Sequence, residues 1–347
     1  MRIADLISRS EDRAPSVRRE AWLNWSAYAA AVHGQLLGLA LLHLGAGFLF
    51  IQIVGVAATL ASALLSVVHD AGHSEFSRRP WVNVLAAQVA VPMGLWVSQY
   101  RIKHRAHHQQ ANVYGVDEAT TPHPLLRVHP QAACRPFHRY QHLYAPALYA
   151  LAWVGDMRSQ VRFLRTGQAG TERVGTLRSR SASYVAEKAL TMSLLLPYAL
   201  LAGPARFAAI IGGVILTASL FAALVLIAGH VNTGLADDPS ASFVERAFMT
   251  TVAFSTTSPL MRRLTGGLTH HHVHHLRPHA PRSAFATMHS DLIVPMAAEK
   301  GLPVIEFPTL GAAIAGHFRE LRALGADATA ASAKRSVRVG RRSLPTW

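Results

Sequence analysis

The chain is poor in charge, poorer in acids, and almost without cysteine. Only 15% of its 347 residues are charged and half are hydrophobic, where a typical soluble domain is roughly 25% charged. The single cysteine, Cys134, rules out an internal disulfide framework and a thiolate metal site. Any metal must therefore be held by nitrogen and oxygen. No Glu-x-x-His occurs, which removes the carboxylate-bridged di-metal pattern of soluble helix bundles. No His-Glu-x-x-His occurs either, which removes the usual zinc-protease reading. Met1 to Arg19 mixes acids and bases without an apolar core, so no cleavable secretory signal is expected there. With 19 acids against 34 Lys and Arg the formal charge is +15. A nucleic-acid binder could carry that charge, but not uncharged apolar runs of membrane-spanning length.

Those runs organise the chain. From Ala27 to Val68 there is no Asp, Glu, Lys or Arg, and a bilayer core needs about 20 apolar residues per helix. The run therefore divides into two spans, about 27–45 and 47–68, turning near Gly45 to Gly47. A second pair is expected at about 186–205 and 207–229, broken by Gly203-Pro204-Ala205-Arg206. Both hairpin turns are nearly free of Lys and Arg, whereas the intervening and terminal segments are rich in them. The positive-inside rule then puts both termini on the cytoplasmic face. Residues 1–26 read as an arm and an interfacial helix carrying Trp22 and Trp25, 27–324 as the membrane domain, and 325–347 as a basic, disordered tail. Trp81 to Ser98, interrupted by Pro92 and Gly94, reads as a re-entrant or interfacial helix. Residues 140–165 read as an amphipathic surface helix, 166–182 as a loop, 241–256 as a helix, and 283–325 as one or two short covering helices.

Histidine is what the chain has in excess. His270-His271-His272-Val273-His274-His275 holds five imidazoles in six positions, and only His271, His274 and His275 fit the register His-x-x-His-His. The same register recurs at His104, His107 and His108, and a shorter relative, His69-Asp70-Ala71-Gly72-His73, stands earlier. Spacings of three and four put imidazoles on one helix face, about 5–6 Å apart at Cβ, close enough for two rings to grip one metal ion. His230 closes the last span as His69 closes the second. The nine candidate ligands are His69, His73, His104, His107, His108, His230, His271, His274 and His275. One ion cannot take nine nitrogens, but two ions with four or five each can, and zinc sites usually close at four. A pair of redox metals at the cytoplasmic mouth of the spans, beside an apolar interior, is the expectation. A ligating imidazole needs an acceptor for its other N–H, and by spacing Asp70, Glu75, Asp117 and Glu118 can serve. His33 and His43 read as structural, His270 and His272 as second-layer or surface groups. His123, His129, His138, His142, His279, His289 and His317 carry no assigned role.

These three boxes resemble those of the integral-membrane fatty-acid desaturases. Asn112 and Asp117-Glu118 follow the second box as that family's pattern does, with Trp96 and Arg101 just ahead of it, and Gly266-Gly267-Leu268 leads into the third. The resemblance covers about residues 27 to 290. It implies an all-α membrane protein with four transmembrane helices in two hairpins and a cytoplasmic helical cap holding a histidine-rich di-metal site. It also implies two iron ions, O2 as co-substrate, and an external electron donor such as ferredoxin or a cytochrome. Removal of two hydrogens from a fatty acyl chain, on a lipid, coenzyme A or carrier protein, is the implied reaction. Sister members are hydroxylases, ketolases and acetylenases. His230 would supply the extra ligand between boxes. Leu226 stands where some relatives place an Asn, which leaves Asn232 or a water as the completing group. A histidine-rich metal transporter is the remote rival; it would need polar groups along the spans, and the hairpins offer few.

Overall fold

The computed structural model describes residues 15–42, 45–118, 124–235 and 240–326. Expectations for residues 1–14 and 327–347, His43, His123 and Asp237-Asp238 lie outside the described residues. Helix α1 (Pro15–Leu41) and helix α2 (Ala46–Gly72) form the first antiparallel pair. Helix α1 runs without a break through residue 26, where the interfacial segment and the first apolar run were expected to meet. Among the described residues three helices are long and apolar enough to cross a membrane: α2, and further along the chain Leu177–Ala202 and Pro204–His230. Helix α1 falls short because His33 and Gln35 interrupt its apolar stretch. His33 is structural, as expected, with Nδ1 2.6 Å from the Tyr198 hydroxyl and Nε2 2.7 Å from the Val89 carbonyl.

Helix α3 (Pro80–Ala90) packs against α1, and helix α4 (Val97–Gln109) carries the second histidine box. The amphipathic segment is two helices, α5 (Gln141–Ala150) and α6 (Ala152–Thr166), divided at Leu151. The expected loop at 166–182 contains a short antiparallel hairpin, Gln168–Ala169 with Glu172–Arg173. It also contains the start of helix α7 (Leu177–Ala202), which begins before the apolar run because Thr176 caps it, accepting from Ser179 N at 3.2 Å. Gly203, at φ 79°, separates α7 from α8 (Pro204–His230). Arg206 donates to the carbonyls of Leu42 (2.5 Å) and Ala40 (3.4 Å), so both hairpin turns lie at the same end of the bundle. At 1.5 Å per residue, α2 and α8 run about 40 Å from that end to their histidines.

Beyond α8 come α9 (Phe243–Met249), α10 (Pro259–Leu264) and α11 (His271–Leu276), which carries the third box. The helix expected over 241–256 stops at Met249, where the chain turns extended. Strand Ala253–Phe254 pairs parallel with Glu306–Phe307 and bridges to His270, while Val252 N donates to the Gly229 carbonyl at 3.1 Å. This joint ties the end of α8 to the entry of α11. The covering helices are α12 (Phe285–Met288), continued by a π turn at His289–Ile293 into α13 (Val294–Lys300), and α14 (Leu310–Gly325).

A second π turn, Leu64–Val68, immediately precedes His69. Such wide turns rotate the next residues around the helix axis and are frequent at functional sites. Gly266 sits against it, at φ 62°, where a Cβ would run into the Leu65 carbonyl. Left-handed backbone alone costs a non-glycine residue roughly 1–2 kcal/mol. Gly301, at φ 64°, has open space around it. Thermal unfolding in detergent should therefore show Gly266→Ala losing more stability than Gly301→Ala, by about 2 kcal/mol for the backbone collision; equal midpoints would contradict this packing.

Candidate metal centre

All nine box and span-end histidines converge between the ends of α2 and α8, the body of α4 and the short α11. Nitrogens of His69, His73, His104, His108 and His274 lie within 4.8 Å of one another, and so, separately, do those of His107, His230 and His275. The His271 ring lies edge-on to that of His230, centroids 4.4 Å apart, and tilted against that of His275 at 5.0 Å. The ring of His271 fits there because residue 229 is glycine; a Cβ at that position would collide with the imidazole. The partition cuts across the boxes. From α4, His104 and His108 join one group and His107 the other; from α11, His274 joins the first and His275 the second.

The distances carry the chemistry. In the larger group the Nε2 atoms form a chain: His69 to His274 at 3.0 Å, His274 to His108 at 2.9 Å, His108 to His104 at 3.2 Å, and His104 to His73 at 2.9 Å. A neutral imidazole nitrogen carries either one N–H or one lone pair. Five such atoms can make at most two proper N–H···N bonds, yet four contacts are present. A cation with metal–nitrogen bonds of about 2.0–2.1 Å holds neighbouring ligand nitrogens about 3 Å apart at right angles, which is the spacing seen.

The smaller group makes the same case through its tautomers. His107 Nδ1 is 2.9 Å from the Asp117 carboxylate, and His230 Nδ1 is 3.0 Å from the Thr250 carbonyl. Both acceptors require an N–H at Nδ1, which leaves lone pairs on the two Nε2 atoms, and these face each other at 3.1 Å. A cation between them resolves the contact, whether a proton on one ring or a metal ion. Burial opposes charge on His107, but the charge and hydrogen bond of Asp117 outweigh it and raise its pKa. His275 Nε2 is buried with no hydrogen-bond partner. The residues present thus fit a pair of metal ions bound through nitrogen.

Of the expected supporting groups, Asp117 orients the His107 ring directly and also accepts from Asn112 N at 2.8 Å. Asn112 donates its amide to the His230 carbonyl at 2.7 Å. Asp70 pairs with Arg282, which also holds the Ser66 carbonyl of the π turn at 2.9 Å. Glu118 binds Lys103 (2.5 Å), Arg162 (2.6 Å) and Ser159 (3.2 Å) rather than a box histidine. Asn232 donates to the carbonyls of Ala228 (2.8 Å) and Ala313 (2.9 Å) and accepts from Thr233 N (2.8 Å), so its amide joins α8 to α14. His270 and His272 are buried rather than superficial, within hydrogen-bond reach of Thr269 and Thr251. The sequence reading missed the Thr250 carbonyl and Arg282. It also missed Tyr100, whose ring stacks on His104 at 5.1 Å, and His279, 5.7 Å from His73. A backbone carbonyl leaves no motif, but Tyr100 stands one helical turn before His104 and was visible by spacing.

A cavity of about 390 Å³ opens onto the rings. Its lining combines His69, His104, His230 and His275 with Leu64, Leu65, Ala223, Leu226, Ile227 and Leu268, and includes the charged Lys103, Asp117 and Glu118.

The comparisons with known proteins bear on this arrangement. The model of a family described as fatty acid desaturase matches residues 46–308. The chain is 27% identical over 251 residues to an sn-1 linoleoyl-lipid 6-desaturase of Arthrospira platensis, covering 67% of this chain and 65% of that protein. It is 25% identical over 286 residues to a protein of the same description from Synechocystis sp., covering 78% and 79%. An acyl-lipid (7-3)-desaturase of Rebecca salina is 26% identical over 286 residues, covering 75% of this chain and 61% of its own length. The chain thus spans just under two thirds of the Arthrospira and Rebecca relatives. No solved structure matches it.

The site has a definite acid sensitivity. Burial first, then the neighbouring His107 and His230, lowers the His104 pKa from 6.5 to about 3. Burial and adjacent imidazoles lower His108, His271, His274 and His275 as well. Below about pH 6.5 the unfolded chain binds protons that the folded chain refuses, so stability is full above that pH and falls toward pH 3. His107 contributes with the opposite sign and is outnumbered. Unfolding of the metal-free protein between pH 7.5 and 4.5 should show a falling midpoint; a midpoint that rises on acidification would contradict the neutral-ring assignment.

Proposed function

From the premise that this chain belongs to the fatty acid desaturase family, we propose that it is a membrane-bound, O2-dependent, di-iron desaturase acting on a fatty acyl chain. The observation that carries the reading is the juxtaposition of the nine-imidazole set with an apolar cavity at the mouth of the helical hairpins. Bound iron would supply the redox chemistry needed to oxidise an unactivated methylene pair. Iron suits the donor set better than zinc, because the five nitrogens of the larger group exceed the four at which zinc sites close.

The residues of the chain divide the work. His69, His73, His104, His108 and His274 would hold one ion, and His107, His230, His275 and the adjacent His271 the other. Asp117 and the Thr250 carbonyl keep Nδ1 protonated in His107 and His230, so that Nε2 is offered to the metal. Leu64, Leu65 and Ile227 provide an apolar wall along which a hydrocarbon chain can lie, excluding water from the reacting carbons. The fourth span would be the apolar half of α1, tilted into the bilayer beside α2, with both termini and the metal centre on the cytoplasmic side. That sidedness rests on the scarcity of Lys and Arg at the two hairpin turns.

The relatives are described as acyl-lipid desaturases, which favours a lipid-bound acyl group over coenzyme A or a carrier protein. Electrons would come from a separate donor, and an acidic carrier suits a chain of charge +15. With such a donor, the rate of reduction should fall as ionic strength rises; a salt-independent rate would count against charge-guided docking. Product analysis of the reconstituted enzyme should show an acyl chain lighter by two mass units, against a gain of sixteen for a hydroxylase. His107→Ala and His274→Ala, one from each group, should each lower bound iron and cut turnover at least a hundredfold. Full activity and iron in both variants would end the proposal.

A further inference from the structure

Helix α4 carries three of the nine imidazoles and, like α11, contributes to both groups, so its axial position and rotation fix ligands of each. Yet it has no N-terminal cap of its own: the side chain of Trp96, which precedes it, accepts no backbone hydrogen. The first free N–H groups of a helix need acceptors, and a negative charge there is favoured by the helix dipole. Here both come from another part of the chain. Glu187, buried on α7, accepts from Val97 N at 2.7 Å through one carboxylate oxygen and from Ser98 N at 3.2 Å through the other. Gln88 of α3 donates to the same carboxylate at 3.1 Å and to the Leu95 carbonyl at 2.8 Å. It is itself held by Thr191 at 2.9 Å. One turn earlier on α7, Ser183 accepts from Trp96 Nε1 at 2.8 Å, and Lys188 binds the Gly94 carbonyl.

We propose that Glu187 is a positioning residue for the metal centre, acting as the N-terminal cap of α4 from within the α7 helix. Val97 is seven residues before His104, two turns along the same face of α4. A slip of one residue would move each imidazole by 1.5 Å along the axis and about 100° around it. Ligand geometry tolerates only about 0.5 Å. The carboxylate is suited to prevent that slip because its two oxygens bind two successive N–H groups, which fixes rotation as well as height. An uncharged or shorter group would meet one of these requirements at most. The apolar span thereby sets the coordinates of ligands that it does not itself contain.

The inference rests on the proposed metal centre, and the test separates the two. Cobalt(II) serves as the probe, titrated into metal-free protein and followed by its visible absorption, with no dependence on turnover. Wild-type protein should bind two ions. Glu187→Ala should bind cobalt 10–100-fold more weakly with an altered band shape. Glu187→Gln keeps the volume and one acceptor oxygen but turns an amide N–H toward a backbone donor. It should fold as wild type and fall between the two in affinity. Wild-type affinity and spectrum in Glu187→Gln would overturn the inference, whether or not Glu187→Ala can be purified. Failure of the wild-type protein to bind any ion would overturn the metal centre itself.

Discussion

Uncharged imidazoles crowded to about 3 Å, with too few protons to hydrogen-bond one another, are the constraint on which the rest of the molecule depends. Such a cluster is unfavourable in a metal-free protein, since lone pairs face lone pairs in a site screened from water. Four of the nine rings are held from behind: His107 by Asp117, His230 by the Thr250 carbonyl, His104 by the stacked Tyr100, and His271 against the bare backbone at Gly229. Nearby carboxylates do not face the cluster freely. Asp70 is neutralised by Arg282 and Glu118 by Lys103 and Arg162. The donor set offered to a cation is accordingly nitrogen, as the shortage of cysteine and of Glu-x-x-His required.

Membership of the site was legible in the sequence, because i, i+3 and i, i+4 spacing survives folding: a helix face is a local property. The partition was not. Spacing says that His104, His107 and His108 share a face, but which ring joins which group depends on how α4 crosses α2, α8 and α11. The same limit explains Asn232 and Glu118. Each lies close in sequence to a ligand, and each is claimed by partners from distant segments, Ala313 on α14 and Arg162 on α6. The three long apolar helices were legible from charge-free runs. The start of α7 was not, because a Thr176 cap rather than hydropathy sets it. Likewise α1 runs through the expected boundary at residue 26, since interfacial aromatics and helix continuity are compatible.

The length of the hairpins follows from their task. On the proposed function a hydrocarbon substrate would have to reach the rings without drawing water to them, which suits rings placed where an apolar bundle ends. Helices α2 and α8 are the two most hydrophobic of the three long spans, and both run directly into a histidine. The cavity lies between them, walled by Leu64 and Leu65 on one and Ala223, Leu226 and Ile227 on the other. Those helix walls are apolar, which favours a methylene chain over water; the charged groups that also line the cavity are paired, Lys103 with Glu118 and Asp117 with the His107 ring.

Those supporting contacts also explain how short elements suffice. Helix α11 has six residues, too few for a stable isolated helix, yet it presents three rings. Its entry is bridged at His270 to the strand Ala253–Phe254, which pairs with Glu306–Phe307, and the neighbouring Val252 N binds the carbonyl of Gly229, the residue before His230. Four stretches of chain thus meet in one small hydrogen-bonded joint. Any other docking of α11 would bury those backbone groups without partners, at roughly 1–3 kcal/mol each. The third box is therefore fixed by the backbone around it more than by its own helicity.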